Sequence, residues 1–296
     1  MAAGGLQTTR AMARARRGAV VSMLGGLGAA LLCAAATAAA PSPASLRAPA
    51  ASPGTPLLST APRLAGTTQP AVSVGSGGSV SPGWQSENWS GYAVTGTGYT
   101  SVSGTWTVPA VQPGATPTYS VTWIGLDGFE SSDPSLIQVG TEQNTVNGAT
   151  SYGAWWTTSS AGYTTRPFGQ TVEPGDAMSA VIQQIWAGRW SIAIADETQG
   201  WNTGVQVAFD GPGDSAEWIM EAPEVNGQPS TLANYTTFAF DKCTLDGASP
   251  GFVYTEAGDM VPPGSSFAES SPSAPNVAAD GFNVAYGYTP PLPPDF

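Results

Sequence analysis

From residue 84 onward the chain is a succession of short runs in which apolar and polar residues alternate, each closed off by Gly, Pro or Asn, and no stretch repeats apolar residues at helical spacing. Period-two alternation sends one set of side chains to a core and the other to solvent, the pattern of a half-buried strand. Strands are expected over 92–94, 102–108, 119–126, 136–139, 154–157, 178–185, 190–196, 203–209, 216–222, 235–240 and 282–288. At hairpin spacing they predict one all-β domain over 84–288, an antiparallel sandwich of two sheets. Composition agrees: 37 Gly, 26 Pro and only 10% charged residues favour strands and tight turns over helices. Glu173-Pro174-Gly175-Asp176 and Asp210-Gly211-Pro212-Gly213 are turns by chemistry, since Pro presets φ and Gly accepts positive φ. Residues 247–279, rich in Gly, Ser and Pro, are expected to form a long loop, and 289–296 is too Pro-rich for a strand.

The residues ahead of this domain read differently. Residues 1–40 open Arg-rich, continue through an apolar stretch and end in small residues, the layout of an export signal. An uncleaved membrane anchor is the alternative, disfavoured because the stretch is built of Gly and Ala rather than large apolar residues. A secreted protein is therefore expected, with no membrane association after signal cleavage. Residues 41–83, rich in Pro, Ala, Ser and Thr and without a single acid, lack the apolar surface to order themselves. They read as a disordered linker or a removable pro-segment.

Charge is split sharply along the chain. Six Arg precede residue 84 and no acid precedes Glu87, whereas the remainder sets Arg166, Arg189 and Lys242 against all 21 acids, a formal net charge of −18. Such a surface cannot neutralise a phosphate backbone, so nucleic acid is excluded as a partner. In acid the carboxylates protonate, and three bases cannot build the positive self-repulsion that unfolds most proteins at low pH. The bias fits acidic surroundings; halophily or plain solubility would produce it too.

There is no histidine. Ser-His-Asp and Cys-His catalysis and His-based zinc sites are thereby excluded, and proton transfer falls to carboxylates, Tyr or Lys. Cys33 lies in the apolar leader, which leaves Cys243 alone in the rest of the chain, a buried, inert thiol by expectation. Two side chains stand out instead. Ser215-Ala216-Glu217-Trp218-Ile219-Met220-Glu221 sets two carboxylates in an apolar strand, where an ionised group is costly unless paired or employed. Glu217 and Glu221 are an even number of residues apart and would share a face of an ideal strand. Gln138, in Leu136-Ile137-Gln138-Val139-Gly140, brings four hydrogen-bonding positions into a second apolar strand. Taken alone, a structural Gln bonding backbone is its plainer reading.

Together with Glu87-Asn88-Trp89-Ser90-Gly91-Tyr92, Trp123-Ile124-Gly125-Leu126-Asp127-Gly128 and Val172-Glu173-Pro174-Gly175-Asp176, these two segments resemble, in order, the signature segments of the glutamic peptidases, or eqolisins. The resemblance implies a lectin-like sandwich of two curved antiparallel sheets. It implies Gln138 and Glu217 as the catalytic pair, choosing Glu217 over Glu221, a choice the residues by themselves leave open. Trp89, Trp123 and Asp127 match residues lining the family's cleft, and Glu142 falls where the family has an acid near the glutamine; with Glu221 they are the substrate-binding candidates. Glu217 would take a proton from a water held by Gln138, so neither metal nor cofactor is implied, and protein or peptide substrates and a monomer are expected. One departure is Thr157-Thr158-Ser159, which stands where family members carry an acid after the paired Trp and would alter substrate subsites or weaken activity. A lectin-like carbohydrate-binding domain, or a glycosidase using Glu217 with Glu221 or Asp127, would suit the same sandwich.

Overall fold

The computed structural model describes residues 58–64, 82–130 and 133–296. The expected export signal over 1–40 lies outside these residues. Among the described residues eighteen strands follow one another: β1 Leu58–Ser59, β2 Trp84–Ser86, β3 Trp89–Thr95, β4 Ser101–Thr107, β5 Thr118–Leu126, β6 Ile137–Val146, β7 Ala149–Thr158, β8 Arg166–Pro167 and β9 Ala177–Trp186. Then come β10 Arg189–Asp196, β11 Trp201–Ala208, β12 Ser215–Glu221, β13 Glu224–Val225, β14 Gln228–Pro229, β15 Phe238–Leu245, β16 Ala257–Met260, β17 Ser270–Pro272 and β18 Phe282–Tyr286. Every strand expected from the alternating pattern is present.

Fifteen strands form one sheet, in the order β11-β10-β9-β4-β15-β18-β17-β16-β3-β12-β5-β6-β7-β8 and antiparallel except where β2 joins β16, and β1-β13-β14 form a small second sheet. The path curls so that its two halves face each other as the layers of a β-sandwich. Their shared core holds Tyr92, Ile124, Val139 and Trp218 from one layer and Val102, Ile182, Ile192 and Phe240 from the other. Two indoles tie the layers together, Trp218 Nε1 donating to Ser103 O at 2.8 Å and Trp106 Nε1 to Thr141 Oγ1 at 3.1 Å. Buried Trp needs such an acceptor for its N–H.

Two expectations change. The stretch 247–279 is not one loop, because β16 and β17 lie within it and complete the seam between the layers. Short strands of Ala, Gly, Ser and Pro carry no periodicity, and their place is fixed by neighbours rather than by propensity. Residues 58–64, inside the stretch expected to lack the means of ordering itself, are packed. β1 pairs with β13, and Ser59 bridges Thr164. The segment does not build a core of its own; it uses the surface of the domain.

Candidate active site

Alternation decides what β12 shows to each side. Ala216, Trp218 and Met220 enter the shared core, which turns Ser215, Glu217, Ile219 and Glu221 to the other face of the first layer. Register then builds rows across that face. Glu217 stands opposite Gly125, Gly125 opposite Gln138, and Gln138 opposite Thr157. Glu217 and Gln138 therefore point the same way, their Cα atoms two strand spacings or about 10 Å apart, with a glycine between them. A Cβ on Gly125 would come within 2.9 Å of Gln138 Cγ and 2.8 Å of the Trp123 ring, so only glycine keeps the gap open. The β6–β7 register rests on a two-residue turn, Asn147 and Gly148, both at positive φ as a primed hairpin turn requires.

Gln138 and Glu217 are wholly buried, yet none of their four side-chain polar atoms has a hydrogen-bonding partner among the described residues. Ser215 Oγ, Trp155 Nε1 and Thr60 Oγ1 are orphaned too. Buried polar atoms are almost always satisfied, by protein or by ordered water, so such a concentration marks groups that bond something else. Burial drives the Glu217 carboxyl well above the usual range, the nearby charges of Asp127 and Asp214 add to the rise, and the Ser215 hydroxyl opposes it.

The next row brings Ile219, Trp123, Gly140 and Trp155 together. The one after it sets Trp89 opposite Glu221, Glu221 opposite Val121 and Val121 opposite Glu142. Trp89, Trp123, Trp155 and Ile219 pack with Ala93, Val121 and Phe129 into a second apolar cluster, with Trp89 and Trp123 edge to face at 4.8 Å. Trp123 Nε1 donates to Glu221 Oε2 at 2.8 Å, Ala61 N donates to Glu221 Oε1 at 3.0 Å, and Trp89 Nε1 donates to Ala61 O at 3.1 Å. Burial raises the Glu221 carboxyl to about 8, against these donors. Glu142 is on the same face but four residues along the strand from Gln138, about 13 Å. Burial raises its carboxyl to about 7, and Asn144 opposes the shift.

Asp127 is placed differently from the expectation of a residue lining the cleft for substrate. It sits just past β5 with φ of 66°, and its carboxylate accepts Gly213 N at 3.1 Å and Asp214 N at 2.7 Å. Its own N–H donates to Ser215 O at 3.0 Å, so Asp127 fastens the 210–214 turn to the start of β12. Burial raises its carboxyl to about 6, the two backbone donors pull it down, and Asp214 pushes it up. The side chains of Asp214, Ser215 and Trp155 and the segment over 58–64 were not foreseen. Ser215 was legible, being two residues from Glu217 in a strand; the segment was not, since its contacts are long-range.

A sequence model of the peptidase A4 family matches residues 87–261. Aspergillopepsin-2 of Aspergillus niger is 25% identical over 226 residues, which make up 68% of this chain and 78% of that protein. Among solved structures, scytalido-glutamic peptidase with a transition state analog inhibitor aligns with a TM-score of 0.57 at 20% identity, over 68% of this chain and 98% of its own. SCP-B, an eqolisin in complex with the tripeptide Ala-Ile-His, aligns at 0.53 and 19% with the same coverage. These likenesses establish the β-sandwich. Because the family match spans more than half of the chain and takes in β3, β5, β6, β7 and β12, this chain belongs to the peptidase A4 family, the glutamic endopeptidases called eqolisins.

Proposed function

We propose that the protein is a secreted acid endopeptidase in which Glu217 and Gln138 activate one water molecule. The observation that carries this reading is the shared row: a carboxyl and a carboxamide flank a glycine gap, and neither has a hydrogen-bonding partner among the described residues. Ionised, Glu217 takes a proton from a water in the gap as the water oxygen attacks the scissile carbonyl carbon. The Gln138 amide N–H donates to the developing oxyanion, a fixed dipole placed where charge appears. Glu217 then returns the proton to the amide nitrogen, the C–N bond breaks, and acid and amine leave. Trp89, Trp123 and Glu221 bind the peptide alongside, Glu142 lies farther out on the same face, and Asp127 acts by holding the turn that leads into Glu217. An acid optimum requires the carboxylate to be charged in acid, hence a gap open to water rather than the sealed state in which Glu217 is raised. Export is supported by the Arg-rich, apolar and small-residue pattern of 1–40.

A two-carboxylate glycosidase is disfavoured. The Ile219–Trp123 row stands between Glu217 and Glu221, and the carboxylate of Asp127 is committed to backbone amides. The test uses Glu217→Gln and Gln138→Ala, assayed on an unfolded protein at acid pH, with circular dichroism to follow folding. Each variant is expected to lose more than about 100-fold in kcat/KM while staying folded, the scale of losing a base or an oxyanion donor. Full activity in either folded variant rejects the pair.

A further inference from the structure

Ser215 is wholly buried at the start of β12, and its hydroxyl has no hydrogen-bonding partner among the described residues. The main chain around it, by contrast, is held from both sides. Asp127 N donates to Ser215 O at 3.0 Å from the end of β5, and Gly96 N donates to Asp214 O at 2.8 Å from the end of β3. The residue is fixed in place while its side chain is left unspent, and a buried hydroxyl without a partner costs stability. Strand geometry says what that hydroxyl faces. Residues two apart in a strand share a face with their Cα atoms about 7 Å apart, so Ser215 stands directly beside Glu217, whose carboxyl oxygens are unpartnered too.

The other neighbours of Glu217 on that face offer nothing comparable. Ile219 follows it along the strand, and Ala93 and Gly125 stand opposite it on β3 and β5. On the diagonals, Gly91 has no side chain, Thr95 is exposed at the end of its strand, and Trp123 gives its N–H to Glu221. Asp127 is an acceptor taken up by backbone amides. Of these neighbours Ser215 alone is a buried donor free to bond. The charges that bear on Glu217 are those of Asp127 and Asp214, both acidic, and β6 adds only the neutral Gln138. A glutamate turns about three side-chain bonds and works as a base only when one geometry is imposed on it. We propose that Ser215 is the positioning residue of that base: its hydroxyl donates to the Glu217 oxygen lying along the strand, which leaves the other oxygen turned across Gly125 to the water. This rests on the peptidase reading of the same row. The donated hydrogen bond also favours the charged carboxylate, against burial and the two aspartates.

The experiment reads the carboxyl apart from catalysis. The full chain is labelled with carbon-13 at its Glu carboxyls, the Glu217 resonance is identified by its absence in Glu217→Gln, and its titration is followed in Ser215→Ala and Ser215→Thr. Ser215→Ala is expected to titrate about one pH unit higher, the scale of one hydrogen bond to a charged group, and to melt no lower than the unaltered chain. The acid limb of kcat/KM on an unfolded protein should rise with it, and kcat should fall at least about 10-fold with KM little changed. Ser215→Thr keeps the hydroxyl and is expected to bring back the midpoint and most of kcat. A merely structural serine would instead lower the melting temperature and leave the midpoint where it was. Ser215→Cys, nearly isosteric but a far weaker donor, takes the place of Ser215→Ala should that variant misfold. A midpoint that stays or falls in the folded variant, or a folded Ser215→Thr that titrates like Ser215→Ala, overturns the proposal; the peptidase reading survives that result if the unaltered chain still digests protein. If the midpoint moves as expected while the unaltered chain digests nothing, the hold of the hydroxyl on Glu217 stands and the peptidase reading falls.

Discussion

Glu217 faces demands that pull in opposite directions. In its proposed role as a base working in acid it must be charged there, yet burial and the charges of Asp127 and Asp214 all favour its protonated form. Opening the cleft removes the largest of these, burial, and leaves the two neighbouring carboxylates. Asp214 separates this electrostatic influence from structure, because it is the backbone N–H of Asp214 that donates to the Asp127 carboxylate. Asp214→Asn keeps that N–H and removes a negative charge that raises Glu217. The acid limb of kcat/KM, which reports the base in the free enzyme, is therefore expected to move to lower pH by a fraction of a unit. A pH–rate profile checks it, and a limb that stays put or moves up excludes Glu217 as the titrating base. Asp127→Asn is a poorer probe, since it disturbs both the charge and the two backbone contacts that hold the turn.

At the scale of the strand, β5 contributes an absence. Gly125 separates Glu217 from Gln138, and its missing side chain leaves the room in which, by the proposed mechanism, a water and a scissile carbonyl meet. Gly125→Ala puts a methyl group 2.9 Å from Gln138 Cγ and 2.8 Å from the Trp123 ring, tighter than real contacts allow. Overpacking of this kind costs about 1–3 kcal/mol of stability, but displacing the amide by a few tenths of an ångström costs more in rate. A loss of at least about 100-fold in kcat is expected with folding retained, checked by steady-state kinetics beside thermal melting. The strand pattern made much of this legible: alternation in β12 and β6 already separates Glu217 and Gln138 from the core-facing Trp218 and Val139. What alternation does not carry is register, so the meeting of the two side chains across Gly125 was readable only through resemblance, although Asn147-Gly148 fixes half of it locally. The carboxylate of Asp127 gave no hint that it would be spent on backbone amides 86 and 87 residues away. β16, β17 and residues 58–64 escaped for the same reason: their order comes from surfaces elsewhere in the chain.

For the molecule as a whole, the excess of acid becomes a statement about stability. Burial lifts Asp127 and Asp259 to about 6, Glu142 to about 7 and Glu221 to about 8, and Glu217 rises with them. In the unfolded chain the same groups release their protons near pH 4. Between pH 4 and about 8 the folded state thus holds protons that the unfolded state has lost, so stability falls as pH rises through that window and is fully present below it. Self-repulsion among the acids acts in the same direction, because at neutral pH little basic charge offsets them. Melting temperature is therefore expected to be highest below about pH 4 and to decline continuously toward pH 8. Salt separates the two causes: about 0.5 M screens repulsion between exposed charges and lifts the neutral-pH values, but leaves the part due to buried carboxyls. Glu142→Gln, neutral at every pH, removes one share of that remainder. It should flatten the stability curve by up to about 1.4 kcal/mol per pH unit between about 4.5 and 7. A melting temperature that climbs from pH 4 to 7 in high salt contradicts this account, because the buried carboxyls would then be ionised in the folded protein.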